Sequence, residues 1–448
     1  MVKLLGVCLL AAGFSLLLPS APTYDPWSWI TWGREIAHGH LDTTGGPSWK
    51  PLPVLFTAPF ALAGAVDDGL PPLLWLMVAR AGALLALAMT YRLGHRLVGG
   101  GRGGVLAGTV AAVALALTPQ WLRYAAHGNE APLAVALMLW AVLCHLDGAR
   151  RSALALGFVA CLARPEIFPF LAPYAAWAGW TDPRTRPVIV AGMVALPVLW
   201  LGPEWIGSGH PLGAGSQARS QPSWSLSRLD HPWLALLERA HHTLGPLLEV
   251  GLVLGFATAW RARDRTVLAL GAAGLCWIAL VAAMTQSGFS GNARYLLPAV
   301  VVACLLTGVA AGRLAVAAPR SMPAAAVGVG LAAVFVAALV PGIGGLATQA
   351  RTAGRTAALD HALTTAVARA GGPDQVVRHG APVVVRAFVP HMAYLTVLPI
   401  GQIERARGDG LVFAAGRRNP ATLLAGSVTT SGLDGPLRVG RWRVFARR

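Results

Sequence analysis

The chain has 448 residues, 55% of them apolar and 12% charged, with a mean hydropathy of +0.58. One soluble core cannot bury that much apolar surface, so most of it must face lipid, and a soluble globular protein is excluded. The formal net charge of +17 is largely a matter of where loops lie, as shown below, which makes nucleic-acid binding a poor reading of it.

The first apolar run, 4–20, follows Lys3 and ends in Pro-Ser-Ala-Pro. It reads as a membrane span or as a secretory signal, and cleavage of the latter would leave the next segment on the same side. That segment, the loop 21–72, carries much of the chain's early chemistry. Asp25-Pro26 is a helix start, with Asp as the N-cap and Pro at the first helical position. The helix that follows puts Trp29, Trp32 and Ile36 on one side, with Trp27 nearby, a pattern expected to lie flat on the outer leaflet. Asp25 is then either a cap alone or a cap with a chemical task. Lys50 stands in Trp-Lys-Pro-Leu-Pro and, with Lys3, is one of two lysines among 36 basic residues. A compact ammonium between prolines suits a phosphate; the alternative is a lysine snorkelling to lipid headgroups.

Spans of about 20 apolar residues are then expected at 73–92, 104–119, 131–146, 152–163, 166–180, 187–202, 244–260, 266–284, 295–312 and 322–341, about eleven in all with the first. They should be helices, because irregular backbone is not tolerated in lipid. With Met1 inside, the inner loop ends hold thirteen Lys or Arg against three Asp, and the outer loops nine against eleven acids. This follows the positive-inside bias and places Asp25, Lys50, Arg123, Glu130, Arg164 and Arg294 on one side of the membrane. Arg164-Pro165-Glu166 interrupts an apolar run at the outer turn of a short helical hairpin, where Arg164 and Glu166 could pair with each other. Glu249 is a candidate partner for an arginine across the bundle. The histidines His127, His241 and His242 stand in no helical metal motif. The five cysteines, Cys8, Cys144, Cys161, Cys276 and Cys304, all fall in apolar runs as small hydrophobes, with neither metal spacing nor a disulfide framework.

After Pro341 the texture changes. Residues 347–371 are alanine-rich with arginines at helical spacing, and 383–389, 410–415 and 441–446 read as short strands. A small α/β domain over 342–448, outside the membrane, is expected beside a transmembrane domain over 1–341. Its fourteen arginines against five acids suit a basic lid or docking surface.

The early span, the acid just past it, the aromatic helix and Trp49-Lys50-Pro51-Leu52-Pro53 resemble the GT-C superfamily of polyprenyl-phosphate-sugar glycosyltransferases, near the protein mannosyltransferase and aminoarabinose transferase branch. The resemblance covers roughly 1–320. Two departures stand out: the second proline of the lysine element is displaced by one, and Asp25 is followed by Pro26 where many relatives carry a second acid. The second departure weakens a paired-carboxylate metal site there, although a divalent metal stays open. The resemblance implies an all-α polytopic fold of GT-C-like arrangement. It also implies transfer of a sugar from a lipid-linked phosphate to a hydroxyl of a glycan, lipid or protein, with inversion, at the outer face of the cytoplasmic membrane. Asp25 would be the catalytic base. Lys50, Arg80, Arg123, His127, Glu130, Arg164, Glu166, Arg294 and Tyr295 would bind substrate, with Arg80 matching the arginine where the family's second span begins and Arg294-Tyr295 the pair that opens a late helix. The competing classes are a transporter or lipid flippase, against which no second copy of the first-loop pattern appears, and a non-catalytic scaffold, against which Asp25 is intact.

Overall fold

The structure, a computed structural model, describes residues 1–118, 120–317, 324–406, 410–416 and 437–446, with the helical backbone alone over 324–342. In chain order the helices are α1 (Val2–Ser15), α2 (Tyr24–Ala37), α3 (Pro51–Phe60), α4 (Leu70–Leu97), α5 (Gly101–Ala116) and α6 (Trp121–Ala126). There follow α7 (Ala131–Leu146), α8 (Arg150–Ala163), α9 (Phe168–Thr181), α10 (Arg186–Ser208), α11 (Gly213–Arg219) and α12 (Pro232–Arg261). The last are α13 (Arg265–Gln286), α14 (Leu297–Ala317), α15 (Ala324–Arg369), α16 (Gly372–Arg378), α17 (Val389–Thr396) and α18 (Ile400–Glu404).

Among the described residues every apolar run expected to span is helical over most of its length. Among the described residues five helical segments are long and apolar enough to cross a membrane: Leu70–Leu97, Pro183–Ser208, Pro232–Arg261, Arg265–Gln286 and Ala293–Ala317. Four shorter apolar helices join them, and one, Pro51–Ala65, lies within the loop expected at 21–72. At about 1.5 Å per residue it is too short for a hydrocarbon core of about 30 Å.

One element divides where the apolar pattern places a start, and one runs further than the pattern suggests. Over Pro232–Arg261 two helices meet at a kink: Gly245 takes φ 69°, ψ 162°, outside helical backbone, and Pro246 opens the second, so the span expected from 244 begins there. α15 is one 46-residue helix that joins the span expected at 322–341 to the helix expected at 347–371, so the domain boundary drawn after residue 341 falls inside it. At about 1.5 Å per residue such a helix is longer than a hydrocarbon core of about 30 Å is thick.

Small residues let the bundle close. A Cβ on Gly308 would lie 2.2 Å from the Ala107 carbonyl oxygen, and one on Gly312 would lie 2.5 Å from that of Gly103, so α14 and α5 touch backbone to backbone. On another face of α14, Gly251 and Gly255 of α12 meet Thr307 and Leu306. This is the small-residue packing that apolar helices use where lipid offers no hydrophobic drive.

The C-terminal part carries a four-stranded sheet, β1 (Val383–Val384), β2 (Val412–Ala415), β3 (Leu437–Val439) and β4 (Trp442–Phe445), in the order β1-β2-β4-β3. β1 pairs parallel to β2, and the other two pairings are antiparallel. The strand expected over 383–389 stops after two residues. Arg386–Phe388 form a 3-10 turn into α17, where Val389-Pro390 supplies a helix start.

The tryptophans of α2 require a correction. They are not at a lipid interface: Trp27, Trp29 and Trp32 are buried in a core shared by α2, Trp49, Trp75 and the C-terminal residues Leu363, Met392, Ile400, Phe413 and Trp442. The Trp27 ring stacks on His391 at 4.0 Å, and its Nε1 donates to Asp360. Arg34 of α2 donates to the Ala393 and Tyr394 carbonyls of α17. Aromatic side chains that suit a membrane belt suit a protein interface equally well, so the C-terminal domain is docked on α2.

Candidate active site

Helix α2 starts two residues earlier than expected. Thr23, extended at φ −97°, ψ −170°, is the N-cap position, and Asp25 lies in the first turn without capping it. Its Oδ2 instead pairs with Nη1 of Arg294, which stands on the 3-10 turn Ala293–Leu296 leading into α14. The helix is fixed against α3 by close approach: a Cβ on Gly33 would meet the Thr57 backbone at 2.5 Å, and Thr57 Oγ1 donates to the Trp29 carbonyl at 2.6 Å. Asp25 and Lys50 are thus carried by two helices in direct contact.

Lys50 takes φ −141°, ψ 114°, the extended backbone that a following proline imposes, and Pro51 then opens α3. Its ammonium does not reach out to headgroups. It pairs with Glu130 Oε1 and lies 5.6 Å from the Trp29 ring centre. Glu130, fully buried, directly precedes α7. Arg164, 1% exposed, is likewise held extended before a proline, between α8 and α9, and its Nη2 donates to the same Glu130 oxygen at 3.1 Å. The alternative pairing of Arg164 with Glu166 does not form; Glu166 is buried, with Oε2 unpartnered. Tyr295 joins the two halves of the site, since the Arg164 and Arg294 guanidiniums lie 4.9 and 5.7 Å from its ring centre. Both distances are in cation–π range.

Five ionised groups, three cations and two carboxylates, therefore meet at one place with a net charge of +1. Burial alone would push the Glu130 carboxyl upward. Lys50, Arg164 and Arg294 together outweigh it and hold the group at about 2. Several donors remain free: Nε and Nη1 of Arg164 and Nε of Arg294 are buried without a hydrogen-bond partner. Buried charged donors left unpaired are costly. A cluster with surplus positive charge and unused guanidinium N–H groups suits a phosphate oxyanion.

Other expected residues fall around this cluster. His127 is buried and donates Nδ1–H to the Ala21 carbonyl at 2.9 Å, burial holding the ring below its usual range and hence neutral, so it pins the segment that leads to Asp25. Arg80 donates to the Ser15 carbonyl and to the Ser15 and Ser20 hydroxyls, where the α1 C-terminus leaves carbonyls unsatisfied. Arg123 is exposed, its Nη1 donating to Gln120 and its backbone N–H to Gln349 of α15. Glu249 pairs with His241 at 2.7 Å and not with an arginine.

Two site residues escaped sequence reading. Trp29 walls Lys50 although its spacing looked interfacial, and Tyr124 lies within the fields of Arg294, Arg164 and Arg123, which oppose the upward push of burial on its phenol. The Arg-Tyr dipeptide at 123–124, which repeats that at 294–295, was the available signal. Among the described residues no group of three or more His, Cys, Asp or Glu side chains is placed to hold a metal. Asp25 and Glu130 are each already bound by cations, a donor set that does not fit a divalent ion.

The helical bundle with its small C-terminal sheet is the GT-C fold of membrane glycosyltransferases. Two of the solved structures it resembles are of ArnT from Cupriavidus metallidurans. The one bound to undecaprenyl phosphate has 15% identity and a TM-score of 0.54; the apo one has 16% and 0.55. Each alignment covers 99% of this chain and 97% of ArnT. The archaeal oligosaccharyltransferase AglB from Archaeoglobus fulgidus, in complex with an inhibitory peptide and a dolichol-phosphate, aligns at 13% identity and TM-score 0.52 over 89% of this chain and 64% of its own. No family model and no curated protein sequence matches the chain.

Proposed function

We propose that the protein is a membrane glycosyltransferase that moves a sugar from a polyprenyl-phosphate donor to an acceptor hydroxyl at the outer face of the cytoplasmic membrane, with inversion. The observation that carries this reading is the trio of buried Lys50 and Arg164 with half-buried Arg294, whose guanidiniums keep unpartnered donors beside a carboxylate. Two solved structures of the same fold hold undecaprenyl phosphate and a dolichol-phosphate, which supports a lipid phosphate as the anion here.

The chemistry follows from the leaving group. Cleavage of the sugar–phosphate bond releases an anion, which needs electrostatic stabilisation more than a proton, and the three cations supply it. Asp25, at the edge of the cluster, accepts the proton of the attacking hydroxyl as general base. Attack from the face opposite the phosphate inverts the anomeric centre. No phosphate-cradling glycine loop occurs in the sequence, which argues against a nucleotide-sugar donor.

Deleting the gene and comparing envelope glycans and glycolipids by mass spectrometry should reveal one missing sugar, restored by the wild-type gene. An unchanged envelope would remove the reading. Orientation has its own test. With the native cysteines replaced, Ser216→Cys in α11 should react with an impermeant thiol reagent in intact cells, and Ser152→Cys at the start of α8 only after lysis. The reverse pattern would put the site on the wrong side for a lipid-linked donor. Residue 427, which the charge count also places outside, lies beyond the described residues.

A further inference from the structure

Arg294 is a shared residue. Its Nη1 is taken by Asp25, its buried Nε has no partner, and its guanidinium lies against the Tyr295 ring that also carries Arg164. Arg164 contributes two further unpartnered donors, Nε and Nη1. Around one aromatic ring there are thus three unused N–H donor atoms and two occupied by carboxylates, Arg294 Nη1 by Asp25 and Arg164 Nη2 by Glu130. A phosphate oxyanion engages guanidinium forks more completely than one carboxylate oxygen does, because it presents several acceptor oxygens to planar donor pairs.

Asp25 is badly placed for base catalysis while this contact lasts, because its Oδ2 faces a guanidinium and not an acceptor hydroxyl. We propose that the Asp25–Arg294 pair is a latch: Asp25 is the counter-ion of Arg294 at rest, and a phosphate monoester or diester at Arg164 and Arg294 displaces it. The base is then free only once the donor is in place, which makes binding ordered, donor before acceptor. This rests on the phosphate-binding reading of the site given above.

Linkage turns the idea into a measurement. If phosphate weakens the Asp25–Arg294 contact by some factor, that contact weakens phosphate binding by the same factor. Removing the Asp25 charge should therefore tighten phosphate binding even though it removes the base. A residue serving only to hold Arg294 in place would give the opposite sign, since its loss would loosen the cation that binds phosphate.

The test is equilibrium binding of a polyprenyl monophosphate to the full chain in lipid nanodiscs. Asp25→Asn should bind it about five-fold or more tightly than wild type, within the usual range of coupling between sites, whereas Lys50→Gln should bind it more weakly. Equal or weaker binding by Asp25→Asn, with wild-type binding intact, overturns the latch and leaves the glycosyltransferase reading standing. No binding by the wild type overturns both. A second measurement avoids variants altogether. Carbodiimide labelling of Asp25 in the wild-type protein, followed by peptide mass spectrometry with exposed Glu238 as reference, should rise several-fold when the lipid phosphate is added. Labelling that stays level while the lipid binds contradicts the latch.

Discussion

Replacing Asp25 with Asn is expected to lower sugar transfer by a factor on the order of 10² to 10⁴, the range for loss of a positioned general base. The same change should leave the protein inserted and folded. Asp25 does not cap α2, so the substitution removes only an acid from the first turn of that helix, worth about 0.3–1 kcal/mol, and one contact to Arg294. Turnover per folded molecule, measured with protein matched by size-exclusion profile, separates the two effects. Near-normal turnover would remove Asp25 from the mechanism.

The largest stability effect is expected at Glu130. Its carboxylate is the shared anion of Lys50 and Arg164, all three nearly or wholly buried. Glu130→Ala strands two buried cations, a loss of about 3–5 kcal/mol for a broken buried pair, which should appear as a large drop in thermal unfolding temperature in detergent. Added lipid phosphate should recover part of it by supplying a replacement anion. The pH dependence has a definite sign. The Glu130 carboxyl is depressed from 4.5 to about 2 in the fold, so its contribution is full above about 4.5 and is lost as pH falls through about 2. The gap between wild type and Glu130→Ala should therefore be constant at neutral pH and close on strong acidification.

The apolar runs were legible as helices because hydropathy is a local property. Charge counts at loop ends were sufficient to put Asp25, Lys50, Glu130, Arg164 and Arg294 on one side, and in the fold these five residues meet. How they pair was not legible. Arg164 is two residues from Glu166 but 34 from the Glu130 it binds, and Asp25 reaches 269 residues along the chain to Arg294. Adjacency in sequence favoured the wrong partner in one case and a cap in the other. The tryptophans of α2 misled for a related reason: a half-apolar ring serves a lipid interface and a domain interface alike, and only the position of α17 and α15 decides between them. The continuity of α15 across the expected domain boundary was hidden because a change in composition need not interrupt a helix.

The account stands on the three cations being a phosphate site. Native mass spectrometry of the purified protein, released from membranes in mild detergent, tests that most directly. Wild type should retain a polyprenyl phosphate or accept one on addition. Lys50→Gln and Arg164→Gln should each weaken the complex by about 1.5–3 kcal/mol, the value of a charge-assisted contact, and together reduce it below detection. A wild-type protein that holds no lipid phosphate, or variants that hold it as well as wild type does, would contradict the account.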